Sequence, residues 1–314
     1  MRISKTGEIS DSFYVVGSYQ VPVYLLDGPV PVLFDAGFSA LAPLYLRDIK
    51  KILGDRTPAL LLLTHAHFDH IGAAGYFKRA WPEMQIAGSA KTREILNSSG
   101  AIQLIRKLND EGAAALKRWG IYPPEKASFE TFKLDNILSN GTRLENRSAC
   151  PIEVIHSPGH TWDFLSFWLP EKKILIASEA AGCDDGNGHI VSEFLVDYDT
   201  YVKSLKNLAR LDCEILCPGH RVVLTGADVK EYFSRSLNEA LTYAEMVEML
   251  LQEEKEDVEK VIWRVKKIEW DPNPFPKQPE PAYLLNTRAR VRNILDRMKR
   301  KISEKEVQEM TIQE

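Results

Sequence analysis

Three histidines and an aspartate follow directly on the apolar run Leu60–Leu63. An uninterrupted apolar run of this length is typical of a strand that is covered on both faces. On the extended turn behind it, side chains two residues apart point the same way, so His65 and His67 can bind one ion. Asp69 and His70 open the next helix and face a second point. Imidazoles and carboxylates are the usual ligands of zinc, iron and manganese, so the sequence predicts a metal site behind this strand.

Two further histidines stand after strand-like segments, each directly behind a proline and a glycine. They are His160, in the sequence SPGHT, and His220, in CPGH. Five of the seven histidines therefore lie where strands end in loops, and loops on a rigid scaffold usually carry the chemistry of a protein. We interpret His156 as a core or supporting histidine, and His189 as either part of a substrate pocket or a residue of a surface loop.

Short β-like runs and amphipathic stretches alternate along the first two thirds of the chain. The order of β-rich part and helix occurs twice, which predicts two similar βα halves packed face to face. Residues 90–120 are predicted to be helical, either as an insertion over the site or as ordinary packing, and residues 129–134 to be a strand. Residues 1–225 are predicted to form the catalytic domain. Residues 226–314 are predicted to form a C-terminal helical region whose first helix begins at a capping box, Thr225–Asp228.

Charge and composition exclude several classes of protein. Lysine and arginine number 40 against 44 acidic residues, a net charge of −4, so there is no global basic field for nucleic acid. The apolar run Ala59–Leu63 is far shorter than the ~20 residues that span a bilayer, and the polar start MRISKTGEIS does not look like a signal peptide. Four cysteines do not make a disulfide framework. We therefore expect a cytoplasmic protein that binds neither membranes nor nucleic acid.

The arrangement of these residues resembles the metallo-β-lactamase superfamily. The characteristic pattern Thr-His-x-His-x-Asp-His stands here as THAHFDH. The later ligand positions follow in the family's order, as the Gly-His pairs at His160 and His220 and as an acid behind another strand, Glu179 in ILIASEAAG. The segment Phe34–Gly37, FDAG, is similar to the family's strand ending in Asp-x-Gly. The resemblance covers about residues 10–225. It implies an α+β fold, a four-layer αββα sandwich with the site at one edge between two sheets, here with a C-terminal helical extension.

The resemblance also implies ligands for two divalent transition metal ions, with zinc favoured and iron or manganese as alternatives. The first ion would be held by His65, His67 and His160. The second would be held by Asp69, His70 and His220. Glu179 stands where the family commonly has a bridging aspartate. Its longer side chain either bridges both ions or binds only one of them.

Supporting roles are predicted for a few neighbours of these ligands. Asp69 is expected to orient the nucleophile in addition to binding metal, which makes it the predicted catalytic residue. Thr64, Asp35 and Thr161 are expected to help fix the orientation of the imidazoles.

The resemblance implies a metal-dependent hydrolase with a small-molecule substrate. The chain has no Gly-x-Ser-x-Gly motif, which agrees with attack by activated water rather than by a serine. The glyoxalase II-like and quinolone-signal-response-type thioesterases are the similar branches, so a thioester is the favoured substrate, ahead of a lactone or a phosphodiester. One alternative is an iron-dependent redox enzyme, either a persulfide dioxygenase or a di-iron enzyme of oxygen or nitric oxide chemistry. Another is a sensor or binding protein with slow turnover.

The basic stretch between Arg288 and Lys301 in the last helix has two interpretations. We favour a solvated helix face, and the alternative is an anion-binding surface for a phosphate-bearing substrate such as a CoA thioester. The C-terminal helices are predicted to cover the metal cleft or to form the face of a homodimer.

Overall fold

Apolar side chains occupy both faces of most strands, so each strand needs cover on two sides. The computed structural model describes residues 1–116, 120–145, 150–274 and 277–312, without the side chains of residues 115 and 304–312. Two stacked sheets with helices on their outer faces provide this cover. The predicted α+β fold, a four-layer αββα sandwich with C-terminal helices, is thereby confirmed. Within the described ranges, no helix is both long enough and apolar enough to cross a bilayer.

Fifteen short strands of the described residues build the two sheets. In chain order they are β1 (Arg2–Ile3), β2 (Gly7–Ser10), β3 (Phe13–Val16), β4 (Val23–Leu26), β5 (Val32–Phe34), β6 (Leu60–Leu62), β7 (Gln85–Ser89), β8 (Asn136–Leu138), β9 (Arg143–Leu144), β10 (Ile152–His156), β11 (Leu165–Leu169), β12 (Ile174–Asp184), β13 (Ile190–Val191), β14 (Ile215–Gly219) and β15 (Val223–Thr225).

The first sheet has the order β2-β3-β4-β5-β6-β7-β8, and its last four strands run parallel. The second has the order β1-β15-β14-β12-β11-β10-β9, with β13 paired to β12. Here β12 and β14 run parallel and the other pairs are antiparallel. The carboxyl ends of β6 and β14 carry the predicted histidines, so the strand order decides where the site forms.

Nine α-helices of the described residues connect and cover the sheets. They are α1 (Ala42–Leu53), α2 (Phe68–Ile71), α3 (Ala74–Ala80), α4 (Ala90–Leu96), α5 (Ser99–Leu116), α6 (Tyr198–Leu208), α7 (Ala227–Glu253), α8 (Val258–Val265) and α9 (Glu280–Ile312). A 3₁₀ turn, Ser39–Leu41, precedes α1, and a π-helical turn, Lys266–Trp270, follows α8.

Three apolar layers hold the sandwich together. Along β4, Val23 and Leu25 face the helices α1 to α5, whereas Tyr24 and Leu26 face the second sheet. Between the sheets, the rings of Phe34 and Phe167 lie 5.6 Å apart. The third layer joins the second sheet to α6, α7, α8 and α9. The C-terminal helices therefore share one core with the second sheet, and a domain boundary at residue 225 stays a prediction.

The predicted strand at residues 129–134 is wrong, because this segment has no regular structure. Pairing with β7 starts only at Asp135, whose backbone N–H donates to the carbonyl of Ile86 and whose carboxylate accepts from the N–H of Ile86, both at 2.8 Å. Phe129 of this segment packs in the core beside the helices of the first sheet.

The predicted helical stretch at residues 90–120 is present as α4 and α5, up to Leu116. Residues 117–119 lie outside the described residues. Ile105 and Leu116 pack into the core beside the first sheet, and the side chain of Asn109 donates to the carbonyl of Phe68 at 3.1 Å. The stretch therefore packs on the body of the first sheet and touches the loop of the predicted metal ligands.

The predicted capping box at the start of α7 is wrong. Thr225 is the last residue of β15, and the residue that precedes the helix is Gly226, with φ of 64°. The carboxylate of Asp228 lies 3.1 Å from the amino group of Met1 instead of capping the helix. Pairing of β1 with β15 brings the N-terminal amino group next to Asp228. The carboxylate of Asp228 pairs with this amino group and does not take part in the cap that its spacing predicted.

Candidate metal centre

The turn behind β6 and the short helix α2 that follows it carry four of the predicted ligands. β6 is enclosed by parallel neighbours on both sides, so its carboxyl end delivers the turn into the interior. His65 is fully buried and its ring stacks on Phe164, with ring centroids 4.6 Å apart. His67 stands in extended conformation directly before α2, and Asp69 and His70 lie in that short helix.

The second sheet supplies the other three predicted ligands. His160 follows β10, and His220 follows β14 with a left-handed φ of 57°. Glu179 lies inside β12, where the pairing with β14 shifts its register on either side of Ser178. Ser178 has φ of 46°. Irregular strand geometry of this kind re-aims side chains and is common beside active sites.

All seven predicted ligands meet at the edge between the sheets. Their ligand atoms form three overlapping groups, and within each group the atoms lie no more than 4.8 Å apart. The groups are His65 with His67 and His160, His65 with His70 and Glu179, and Asp69 with His70 and His220.

Glu179 occupies the middle of this arrangement. Its Oε1 atom lies 2.9 Å from Nε2 of His70 and 3.1 Å from Nε2 of His220. Its Oε2 atom lies 3.8 Å from Nε2 of His65. The carboxylate therefore reaches both predicted ligand groups, as a bridging residue would.

The outer ring nitrogens of the histidines are held by acceptors. Nδ1 of His70 donates to Asp35 at 2.8 Å, that of His160 to the carbonyl of Glu193 at 2.6 Å, and that of His220 to the carbonyl of Gln20 at 3.1 Å. A hydrogen bond from Nδ1 turns Nε2 into the centre and makes it the atom that would bind a metal ion.

Thr64 does the same for His65. Its hydroxyl lies 2.9 Å from Asp35 Oδ2, so its single proton goes to that carboxylate and its oxygen accepts from Nδ1 of His65 at 2.9 Å. Nε2 of His65 is then a buried atom with no hydrogen-bond partner among the described residues. Asp35 and Thr64 thus make the contacts that the sequence predicted for them. Thr161 does not, because its buried hydroxyl has no partner within the described ranges.

Burial keeps three of the imidazoles neutral. It lowers the pKa of His65 well below the usual value, and the neighbouring His70 and His67 add to this shift. Burial lowers the pKa of His160 to about 3, and it also lowers the pKa of His67. Nδ1 of His67 and Nε2 of His160 lie 3.0 Å apart, so two neutral nitrogens face one another at the distance expected of neighbours that bind one ion.

The other imidazoles are paired with carboxylates. Burial opposes charge on His220, but the contacts with Asp69 and Glu179 outweigh it and raise the pKa of His220 to about 9. Burial also opposes charge on His70, and Glu179 and Asp35 raise its pKa well above the usual value. Burial alone would raise the pKa of Asp69, whereas His70 and His220 lower it to about 2. The carboxylates are therefore ionised at neutral pH.

The donor set fits divalent transition metal ions. Neutral imidazoles and ionised carboxylates are the ligands that zinc, iron and manganese use, and the unpartnered Nε2 of His65 lacks any other role in the described structure. Gly219 also leaves room for the longer carboxylate, because a Cβ atom there would lie 2.9 Å from Oε1 of Glu179.

The remaining histidines lie outside the centre. The interpretation of His156 as a core histidine is wrong, because its side chain is exposed and its Nε2 lies 3.2 Å from the carbonyl of Trp162. His189 borders a cavity of about 290 Å³ between α7 and the π-helical turn. Its ring nitrogens lie 3.6 Å from Glu239 and 3.6 Å from Glu269. Neither ring joins the seven predicted ligands.

Asp163 contributes to the centre although the sequence analysis missed it. Its Oδ2 atom accepts from the backbone N–H of Ala66, between two ligand histidines, and from the hydroxyl of Thr92, both at 2.8 Å. Asp163 lies between β10 and β11 of the second sheet, and its hydrogen bond fixes the turn behind β6 that carries His65 and His67. Sequence contains no signal for this contact, which joins residues 97 positions apart.

The basic residues of α9 are engaged by acids rather than gathered into an anion site. Arg297 pairs with Asp199 at 2.9 Å, and Arg288 with Glu259 at 2.5 Å. Lys299, Arg300 and Lys301 likewise lie within 4 Å of carboxylates. These pairs hold the stretch against α6, α7, α8 and the turns beside them. The predicted solvated face is wrong for Arg290, which is 1% exposed.

Comparisons with known proteins agree on one family for this chain. The profile of the metallo-beta-lactamase superfamily matches residues 16–220. A beta-lactamase-like protein 2 homolog of Caenorhabditis elegans is 26% identical over 204 residues, which cover 64% of this chain and 56% of that protein. A probable metallo-hydrolase of Bacillus subtilis is 24% identical, covering 66% and 81%. A thioesterase of Emericella nidulans is 26% identical, covering 66% and 48%. The chain thus spans about half the length of two of these three relatives.

Solved structures show the same fold. A metallo-beta-lactamase family protein from Thermus thermophilus superposes with a TM-score of 0.62 at 17% identity, covering 93% of this chain and 95% of that one. An archaeal metallo-beta-lactamase superfamily protein from Sulfolobus tokodaii gives 0.57 at 14% identity, covering 91% and 99%. At these identities the likeness concerns the fold alone.

Proposed function

The chain belongs to the metallo-β-lactamase superfamily, and we propose that it is a metal-dependent hydrolase that cleaves a small thioester. The observation that carries this proposal is the convergence of seven ligand side chains from both sheets, with neutral or carboxylate-paired imidazoles facing one another. A lactone or a phosphodiester is the next substrate class.

Two metal ions would be held by the residues that the geometry groups together. His65, His67 and His160 would hold one ion, Asp69, His70 and His220 the other, and Glu179 lies between them. When bound, such ions supply a hydroxide nucleophile near neutral pH and polarise a carbonyl or phosphoryl oxygen. We propose zinc as the metal.

Asp69 is suited to orient the attacking water. Its carboxylate is ionised at neutral pH, because His70 and His220 outweigh burial and hold its pKa at about 2. The side chain is 18% exposed, so it borders the accessible side of the centre. An ionised carboxylate at this place accepts a hydrogen bond from water and thereby turns the water's lone pair toward the substrate.

The thioester preference draws on two relatives that are named thioesterases, of which the chain spans 48% and 40%. Of the described hydroxyl groups, that of Ser178 lies at the centre, where it donates its proton to Oε2 of Glu179 at 2.7 Å. Cys183 and Glu179 both lie beside Gly219, and burial raises the pKa of this thiol well above the usual value, with Glu179 adding to the shift. A neutral thiol is a poor nucleophile, so hydrolysis by activated water is the chemistry that these residues support.

Metal analysis and a substrate panel test the proposal. Purified protein is expected to contain about two transition metal ions per chain. It is expected to hydrolyse acyl-CoA or acyl-glutathione faster than a lactone or bis-p-nitrophenyl phosphate. A protein that stays metal-free on reconstitution with zinc, manganese and iron would overturn the proposal. Oxygen uptake by the iron form without hydrolysis would support the redox alternative instead.

A further inference from the structure

The segment Ser192–Leu195 lies between a predicted metal ligand and the last helix. It has no regular secondary structure. On one side, the carbonyl of Glu193 accepts the Nδ1 proton of His160 at 2.6 Å. Both residues are buried, with 2% of His160 and 6% of Glu193 exposed. This hydrogen bond determines which nitrogen of His160 carries the lone pair and where the ring points.

On its other side, the segment is gripped by one face of α9. Asn286, Arg290 and Asn293 follow one another at four and three residues, the spacing of a single helix face. Asn286 donates to the carboxylate of Glu193 at 3.2 Å. Arg290 donates to the carbonyl of Ser192 at 3.4 Å, and Asn293 to the carbonyl of Leu195 at 2.9 Å.

Arg290 is itself fixed in place. It is 1% exposed, and its two terminal nitrogens lie 3.1 Å and 2.7 Å from the carboxylate oxygens of Glu269. Its guanidinium also lies over the ring of Tyr243, 4.3 Å from the centroid. The helix face that holds the segment is therefore a rigid, buried support rather than a solvated surface.

We propose that Asn286, Arg290 and Asn293 are positioning residues of the metal centre, acting on His160 through the carbonyl of Glu193. These three side chains of α9 contact Ser192, Glu193 and Leu195, three of the four residues of the segment. The carbonyl of Glu193, which accepts the Nδ1 proton of His160, lies in the same segment. The C-terminal helix is then part of the metal centre although it contributes no ligand. This inference rests on the metal centre of the proposed function.

The test compares two variants of the same helix. Asn286→Ala/Asn293→Ala removes two of the three donors and keeps the buried Arg290. The matched control is Arg288→Ala, which removes an ion pair with Glu259 on an exposed part of α9. Both are measured as metal-free and as cobalt(II)-loaded protein, and urea denaturation gives the free energy of unfolding of each.

The first measurement needs no metal. In ¹⁵N-resolved NMR of the metal-free protein, the Nδ1 proton of His160 should give a sharp low-field signal in the wild type and in Arg288→Ala. The same signal should broaden by solvent exchange in the double variant. A signal that is unchanged in the double variant would overturn the inference, because the carbonyl of Glu193 would then keep its place without the helix.

The second measurement is a cobalt(II) titration followed by visible absorption. The double variant should bind the ion held by His160 about tenfold more weakly, as is common when a partner of a ligand is disturbed. Arg288→Ala should match the wild type. Equal affinities of double variant and wild type, or an equal loss in the control, would contradict positioning by these residues. A wild type that binds no cobalt refutes the proposed function, while the NMR comparison still decides the hydrogen-bond relay.

Discussion

Removal of the Asp163 carboxylate is the sharpest test of how the two halves of the centre are joined. The residue is 1% exposed, and its Oδ2 atom accepts from Ala66 N–H and from the hydroxyl of Thr92, both at 2.8 Å. Asp163→Ala leaves both buried donors without this acceptor. Hydrogen bonds to charged groups contribute about 1.5–3 kcal/mol each, so losing two of them predicts a loss of about 3–6 kcal/mol in the free energy of unfolding.

Urea denaturation of the metal-free protein, followed by tryptophan fluorescence, measures this loss. Thr92→Val removes one of the two donors at nearly constant volume and should cost about 1–3 kcal/mol. Because both changes act on the same oxygen, the double variant should be more stable than the sum of the single losses predicts, by about 0.5–3 kcal/mol. An Asp163→Ala loss below about 1 kcal/mol, the ordinary effect of a point mutation, or strictly additive losses would refute the reasoning.

Three further predictions concern the ligands and their surroundings. His67→Ala should lose nearly all hydrolysis. Cys213→Ala should keep it, because the thiol of Cys213 donates to the nearby carbonyl of Ile215 at 3.1 Å. Initial rates with one acyl-CoA compare the two variants, and an active His67→Ala would contradict the site. Gly219→Ala places a Cβ atom 2.6 Å from Sγ of Cys183 and 2.9 Å from Oε1 of Glu179, so it should weaken cobalt binding in calorimetry. Partial recovery in Gly219→Ala/Glu179→Asp would assign the loss to the carboxylate, and an unchanged affinity in Gly219→Ala would contradict the contact with Glu179. The contacts with Asp69 and Glu179 outweigh burial and raise the pKa of His220 to about 9 in the folded metal-free protein. Its ion pairs therefore stabilise the fold fully below the unfolded pKa of about 6.5, and this stabilisation is lost as pH rises through 9. The difference in free energy of unfolding between wild type and His220→Gln, measured with urea, should shrink from pH 6 to pH 10, and a constant difference would speak against these pairs.

Sequence alone was sufficient for those features that depend on local pattern. Leu60–Leu63 indicated a buried strand, and the structure has β6 between two parallel neighbours. The histidines behind this strand, and those behind Gly159 and Gly219, could be recognised because each follows a strand-like segment, and the end of a strand fixes where the next residues lie. Their convergence followed from the resemblance to a known family, since no local rule brings residues 65, 160 and 220 together.

Contacts between distant parts of the chain could not be read in this way. The support of His160 is a backbone carbonyl, that of Glu193, and every residue has a carbonyl. Asp163 looks like any other acid in the sequence, and only burial against Ala66 and Thr92 gives it a role. Thr225 and Asp228 have the spacing of a cap, but the pairing of the N-terminal strand draws both residues to Met1.

Glu179 departs from the aspartate that the family commonly has, and the backbone around it accounts for the extra length. The left-handed conformation of Ser178 and the register shifts beside it interrupt regular pairing of β12 at this position. Gly219 opposite carries no Cβ, so the carboxylate has room to lie 2.9 Å from His70 and 3.1 Å from His220. The carboxylate of Glu179 therefore lies between the two predicted ligand groups, and its length gives no structural reason to prefer a sensor over an enzyme.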